Sequence, residues 1–163
     1  MATTDLVYSY GTLAITSLNS LASDTSAGLL VACSANLDNT SPEYLDVWPT
    51  VTVTYPNSAP TVAYLTAYYA AYDNVAWTDD GYADAPDGTD QTITIGSPTA
   101  LRYAGTIPVL QNKVTTSSPL LSLATVFGFV PPKFSVVVHN GSGQTISSSG
   151  NSCQYVGVEA ATA

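Results

Sequence analysis

The amino-acid sequence predicts an all-β fold, an antiparallel β-sandwich of jelly-roll type with about eight strands and little helix. Three observations lead there. Period-two alternation of apolar and polar residues recurs along the chain, as in Val51-Thr52-Val53-Thr54-Tyr55. Turn-forming clusters cut these segments short: Tyr55 to Pro60, Asp87-Gly88-Thr89-Asp90, Gly96-Ser97-Pro98 and Val130-Pro131-Pro132. The composition leans on Thr, Ser, Ala, Val and eleven Tyr, residues suited to a pleated surface. The 163 residues contain neither an internal repeat nor a long linker. One domain over 1–163 is expected, with 1–12 as an arm or edge strand.

Taken in order, Leu6, Val7, Tyr8 and Tyr10 give Thr3 to Tyr10 the character of a strand that pairs with a neighbouring molecule. Leu29 to Cys33 is an apolar run. In Thr61 to Tyr72, the spacing of Tyr64, Tyr68 and Tyr72 fits a helical stripe, but tyrosines after a Pro-rich turn favour a strand. That strand puts Ala63, Leu65, Ala67, Tyr69 and Ala71 on one face and Val62, Tyr64, Thr66, Tyr68 and Tyr72 on the other. Thr92 to Ile95 alternates. Ser118 to Phe127 suggests a short helical turn around Leu120, Leu121, Leu123 and Val126. Phe134 to Val138 ends in a β-branched run, the mark of a strand covered on both faces. The following His139-Asn140-Gly141-Ser142-Gly143 predicts a hairpin turn, or a longer Gly-rich loop, before Gln144-Thr145-Ile146. Gln154 to Val158 is the last alternating segment.

Only 9% of residues are charged, three Lys and Arg against twelve Asp and Glu, for a net charge of −9. Nucleic-acid affinity comes largely from cations that neutralise phosphates, so direct nucleic-acid binding is not expected. The same sign disfavours anionic membranes. No apolar run approaches the roughly 20 residues of a spanning helix. Met1 to Asp5 lacks the basic and apolar regions of a secretory leader, which predicts folding in the cytosol.

Few catalytic constellations can be drawn from one His, two Cys and three cations. Six acids fall between residues 73 and 90, and Asp79, Asp80, Asp84 and Asp87 could form a calcium loop, although their spacing departs from the EF-hand pattern. A solvated acidic loop is the plainer reading. A two-carboxylate glycosidase site would need an acid in an apolar pocket, which a Gly, Asp and Pro-rich stretch does not supply. His139 has no nucleophile fixed by spacing and reads as a polar residue at a strand end. Cys33 and Cys153 read as small buried hydrophobes, with a disulfide open only if their strands are neighbours. No cofactor is expected. Eleven Tyr and two Trp are the surface chemistry available in quantity, suited to a protein or glycan partner.

Asp87 to Ile95, Pro98 to Arg102, Ser117 to Leu121, Phe127 to Val138 and Tyr155 to Val158 together resemble a group of small virion proteins of tailed bacteriophages. The similarity covers roughly the last two thirds of the chain. It implies a non-enzymatic β-sandwich component of the virion, a capsid decoration or cement protein on the head exterior in many copies. The implied partners are the major capsid protein or other virion proteins, and further copies of the chain as a homo-oligomer. No catalytic residues come with the resemblance. Two alternatives stay open: a tail or neck component, and a glycan- or receptor-binding module on a tail or head fibre, with a groove around Trp77 and Asp79.

Overall fold

A computed structural model describes residues 4–24, 29–41, 43–72, 86–95, 101–117 and 119–162. The outermost strands in sequence, β1 (Thr4–Leu13) and β10 (Ser152–Thr162), pair with each other, and the pairing continues inward. β2 (Leu29–Cys33) pairs with β9 (Lys133–His139), β4 (Asp46–Thr54) with β8 (Val114–Thr116), and β5 (Tyr64–Tyr72) with β7 (Arg102–Pro108). All four pairs are antiparallel. The chain is therefore one long nested hairpin, rolled so that β10 also joins β4 and β9 also joins β5. The result is a four-stranded sheet, β1-β10-β4-β8, facing a larger sheet, β6-β2-β9-β5-β7, which is the strand order of a jelly roll. Two strands lie outside the nested scheme: β6 (Gln91–Ile95), which flanks β2, and β3 (Leu37–Asp38), which flanks β9. Ten strands, rather than about eight, make up the described residues. β3 and β8 have two and three residues, too few to leave an alternation in sequence.

Side-chain period places the core. In β4 every second residue is buried, so Val47, Val51 and Val53 face inward while Trp48, Thr50, Thr52 and Thr54 face out. Across the gap Leu65, Ala67 and Tyr69 of β5 meet Phe134, Val136 and Val138 of β9 in the same core. The strand expected over Thr61 to Tyr72 forms from Tyr64 on, because each of these core residues has a buried side to occupy, and residues 61–63 stay outside it. Tyr69 is fully buried and donates its hydroxyl to Leu121 O at 2.7 Å, and its ring meets Phe134 edge-on at 6.1 Å. Helix α1 (Leu123–Phe127) buries Leu123 in the core. Burying such a leucine side chain contributes about 2 kcal/mol. Ser122 caps the helix by accepting from Thr125 N at 3.1 Å, and Gly128 ends it with φ +80°. The helix occupies the second half of the expected 118–127 segment, starting where Ser122 supplies the cap.

β9 is buried along its middle five residues, as its β-branched run predicts. Val137 turns away from the main core into a second apolar cluster with Val31, Cys33, Ala70, Ile93, Ile95 and Leu101. The larger sheet is thus apolar on both faces. Cys33 lies on β2 and Cys153 on β10, in different sheets, and both are free and buried. No hairpin strand follows His139. Of the two alternatives read from the sequence the loop is found, since Asn140 organises residues 140–144 with its own side chain. Its Nδ2 donates to Leu21 O at 3.0 Å and Gln144 O at 2.8 Å, and its Oδ1 accepts from Ser142 N and Oγ at 3.1 and 2.6 Å. The left-handed conformation falls on Gly143 (φ +82°) instead of the Asn140-Gly141 pair.

Candidate docking surface

Directly opposed residues of an antiparallel ladder share a face, so the register fixes the outer surface of the four-stranded sheet row by row. Tyr8 lies beside Val158 and Asp46, Tyr10 beside Val156 and Trp48, and Thr12 beside Gln154 and Thr50. Leu6 opposes Ala160 at one end; Ser152, Thr52 and Thr116 form a row toward the other, where the Thr52 and Thr116 hydroxyls meet at 2.9 Å. Leu6, Tyr8 and Tyr10 are 58%, 53% and 81% exposed. Asp46 is the one charged side chain in these rows. Its Oδ1 accepts from Val47 N at 2.8 Å and Ala124 N at 3.1 Å. Apart from Asp46 the surface is uncharged, broad, and made mainly of aromatic, aliphatic and threonine side chains.

The underside of the same edge is built by two glycines. A Cβ on Gly11 would collide with the Tyr155 ring, and one on Gly157 with the Tyr44 ring. The two rings meet edge-on at 6.0 Å. Val7 points to this underside and is exposed, unlike its three neighbours on the outer face only in direction. Ser9 Oγ donates to the Glu159 carboxylate alongside. Near Tyr44 a cleft of about 700 Å³ opens between Asn39, Glu43, Pro132 and Glu159.

Of the residues singled out in sequence, Leu6, Val7, Tyr8 and Tyr10 all lie on β1, at the edge of the four-stranded sheet. Asp79, Asp80, Asp84, Trp77 and the Gly96-Ser97-Pro98 turn lie outside the described residues. Asp87 accepts from Thr89 N, Thr89 Oγ1 and Gln91 Nε2 at 2.9, 2.6 and 2.8 Å. The Thr89 hydroxyl foremost holds its carboxyl below the usual 3.8. Asp90 reaches 74 residues back to the turn at Thr16–Leu18, accepting from Thr16 N at 2.6 Å, Thr16 Oγ1 at 2.7 Å and Ser17 N at 2.9 Å. Burial pushes the Asp90 carboxyl up, but the bonds from Ser17 and Thr16 outweigh it and leave its pKa lowered. Both carboxylates are engaged in holding turns, Asp87 in its own and Asp90 in a distant one. Among the described residues no three His, Cys, Asp or Glu side chains are grouped to hold a metal ion.

Burial pushes the Cys33 and Cys153 thiols up to about 12, which leaves both protonated at neutral pH. His139 stands at the end of β9, as expected, and its Nε2 meets Asp24 Oδ2 at 2.8 Å. Among the described residues no helix is long and apolar enough to cross a membrane. Sequence reasoning missed Trp48, Val156, Thr50, Thr52 and Thr116 as members of the surface. The signal was there for β4: once Val47, Val51 and Val53 are assigned to the core, the residues between them must face outward. Comparison with protein-family models, curated proteins and solved structures finds no match to the chain.

Proposed function

We propose that this chain is a non-enzymatic structural protein of a bacteriophage virion, a capsid decoration or cement subunit. In this reading many copies bind the head exterior through the outer face of the β1-β10-β4-β8 sheet, against the major capsid protein or another virion protein. The observation that carries it is the neutral row Tyr10, Val156, Trp48 at the centre of an exposed sheet face in a chain of net charge −9. Interface cores are depleted of charge and enriched in Tyr and Trp, while charge placed elsewhere keeps a free subunit soluble. Jelly rolls build viral capsid and lectin domains, a fold-level analogy that adds to the resemblance in sequence.

Pelleting purified protein with phage heads that lack it tests the reading. Saturable co-sedimentation is expected, and Tyr10→Ala with Trp48→Ala should weaken it on the order of 30-fold, the effect of losing an interface hot spot. Heads that pellet without the protein overturn the proposal. The same aromatic row favours one other reading, a glycan-binding platform on which Tyr10 and Trp48 stack against a sugar ring. A glycan array that captures the protein while heads do not would put that reading in its place.

A further inference from the structure

The sheet edges of this molecule are treated unequally. β6 is five residues long and is tied at its start to the Thr16–Leu18 turn through Asp90 and Thr92. β7 carries an irregularity opposite Ala67 and Tyr68, and it begins at Arg102 and ends at Pro108. Its Ala104 carbonyl is also taken by Leu121 N at 2.8 Å. β8 has three residues. Shortness, bulges, cations, prolines and covering loops are the usual devices that keep an exposed edge from pairing. Beyond the single charge of Asp5, β1 has none of them among the described residues. It runs ten residues in unbroken register with β10, contains no Lys, Arg or Pro, and among the described residues no strand pairs with its other side. At about 3.3 Å per residue its outer edge is roughly 33 Å long, and along it alternate residues turn their N–H and C=O away from β10.

We propose that β1 pairs antiparallel with β1 of a second copy, about a two-fold axis through Tyr8, joining two four-stranded sheets into one continuous sheet. The inference does not depend on the virion reading. An axis normal to the sheet keeps both outer faces on one side, so opposed residues must have numbers of like parity. Centring on Tyr8 then sets Tyr8 against Tyr8, Leu6 against Tyr10, Val7 against Ser9 and Thr4 against Thr12. Asp5, the one charge on the strand, falls opposite Gly11 and meets no like charge. Centring on Ser9 would place Asp5 against Leu13, and centring on Val7 would leave Gly11 to Leu13 unpaired. In this register a second copy meets the edge with no like charges opposed and with nine of the ten strand residues paired, and it is the occupant assigned to the edge.

Sedimentation equilibrium of the intact chain, with cysteine variants for register, tests the proposal. The wild type should be a dimer. Tyr8→Lys sets like charges across the axis and should weaken dimerisation at least tenfold, with an unchanged monomer melting curve because Tyr8 is half exposed. Under mild oxidation Tyr8→Cys should cross-link between chains. Tyr10→Cys should not, since its two copies stand about 13 Å apart in this register, beyond disulfide reach. Native Cys33 and Cys153 are buried and do not compete. A monomeric wild type, a Tyr8→Lys variant that still dimerises, or equal cross-linking through position 10 overturns the proposal. So does a monomer whose binding to phage heads is lost in Tyr8→Lys, which assigns the edge to the shell protein.

Discussion

The outer faces of the two sheets are built on opposite principles. Outside the larger sheet Val31, Cys33, Ala70 and Val137 are fully buried in an apolar cluster. Outside the four-stranded sheet, threonines alternate with exposed Tyr8 and Tyr10 and half-buried Trp48 and Val156. Both belong to antiparallel sheets of one sandwich, so strand geometry does not separate them. The difference lies in whether the residues between the core positions are apolar. A strand such as β9 contributes to two hydrophobic layers, whereas β4 contributes to one and carries partly exposed side chains on its other face.

The sharpest way to break this contrast is to place one carboxylate on each face. Val137→Asp should lower stability by about 4 kcal/mol or more, because an unpaired charge is forced into an apolar cluster. Thr50→Asp, on the outer face of β4, should change it by no more than about 0.5 kcal/mol. Urea melts followed by circular dichroism measure both, and equal costs would dissolve the distinction. The next effect separates the exposed face from its own underside. Gly157→Ala should cost about 2 kcal/mol, since the new methyl group meets the buried Tyr44 ring. The same change at Gly11 should cost less, because the Tyr155 ring it meets is only half-buried and can swing aside.

Smaller effects sharpen the contrast. Ser135 shares the outward face of β9 with Val137, and its buried hydroxyl has no hydrogen-bond partner among the described residues. Ser135→Ala should therefore raise stability by about 1 kcal/mol, and a loss of stability in the melt would contradict that. Asp90, which ties β6 to the Thr16–Leu18 turn, should cost about 1 kcal/mol when changed to Asn. Its folded pKa lies below the ordinary 3.8. The contribution is therefore complete above that pH and disappears as pH falls through the lower folded value. The difference between wild type and Asp90→Asn should accordingly be constant near neutrality and narrow below about pH 4. A gap that persists at pH 2 would show that the charge is not responsible.

The parts of this fold legible in sequence are those governed by side-chain period. Alternation in Val51 to Thr54 and Thr92 to Ile95, and the run Val136-Val137-Val138, declared which strands have one covered face and which have two. Tyr64 to Tyr72 was readable as a strand for the same reason. What the sequence could not declare depends on partners far along the chain. Asp90 finds the turn at Thr16, Asn140 finds Leu21, and His139 finds Asp24, contacts that no local spacing encodes. The choice between a hairpin and a longer loop after His139 was open in sequence, and the Asn140 side chain decides it for the loop by bonding the Gln144 carbonyl. Of the docking surface, the β1 residues could be named from their apolar character. Trp48 and Val156 required the register that sets them beside Tyr10.

The nested pairing also governs the order in which the protein can form. Ser9 and Glu159, 150 positions apart, sit side by side, so β1 cannot pair with β10 until β10 has left the ribosome. At roughly 5–20 residues per second, Tyr8 and its neighbours wait on the order of ten seconds in an unfinished chain. Contacts this distant in sequence also make for slow folding, since a long loop must close before any pairing rewards it. Thus the strand with the freest edge in the finished molecule is also the one exposed longest during synthesis, and crowding among nascent chains would be felt there first.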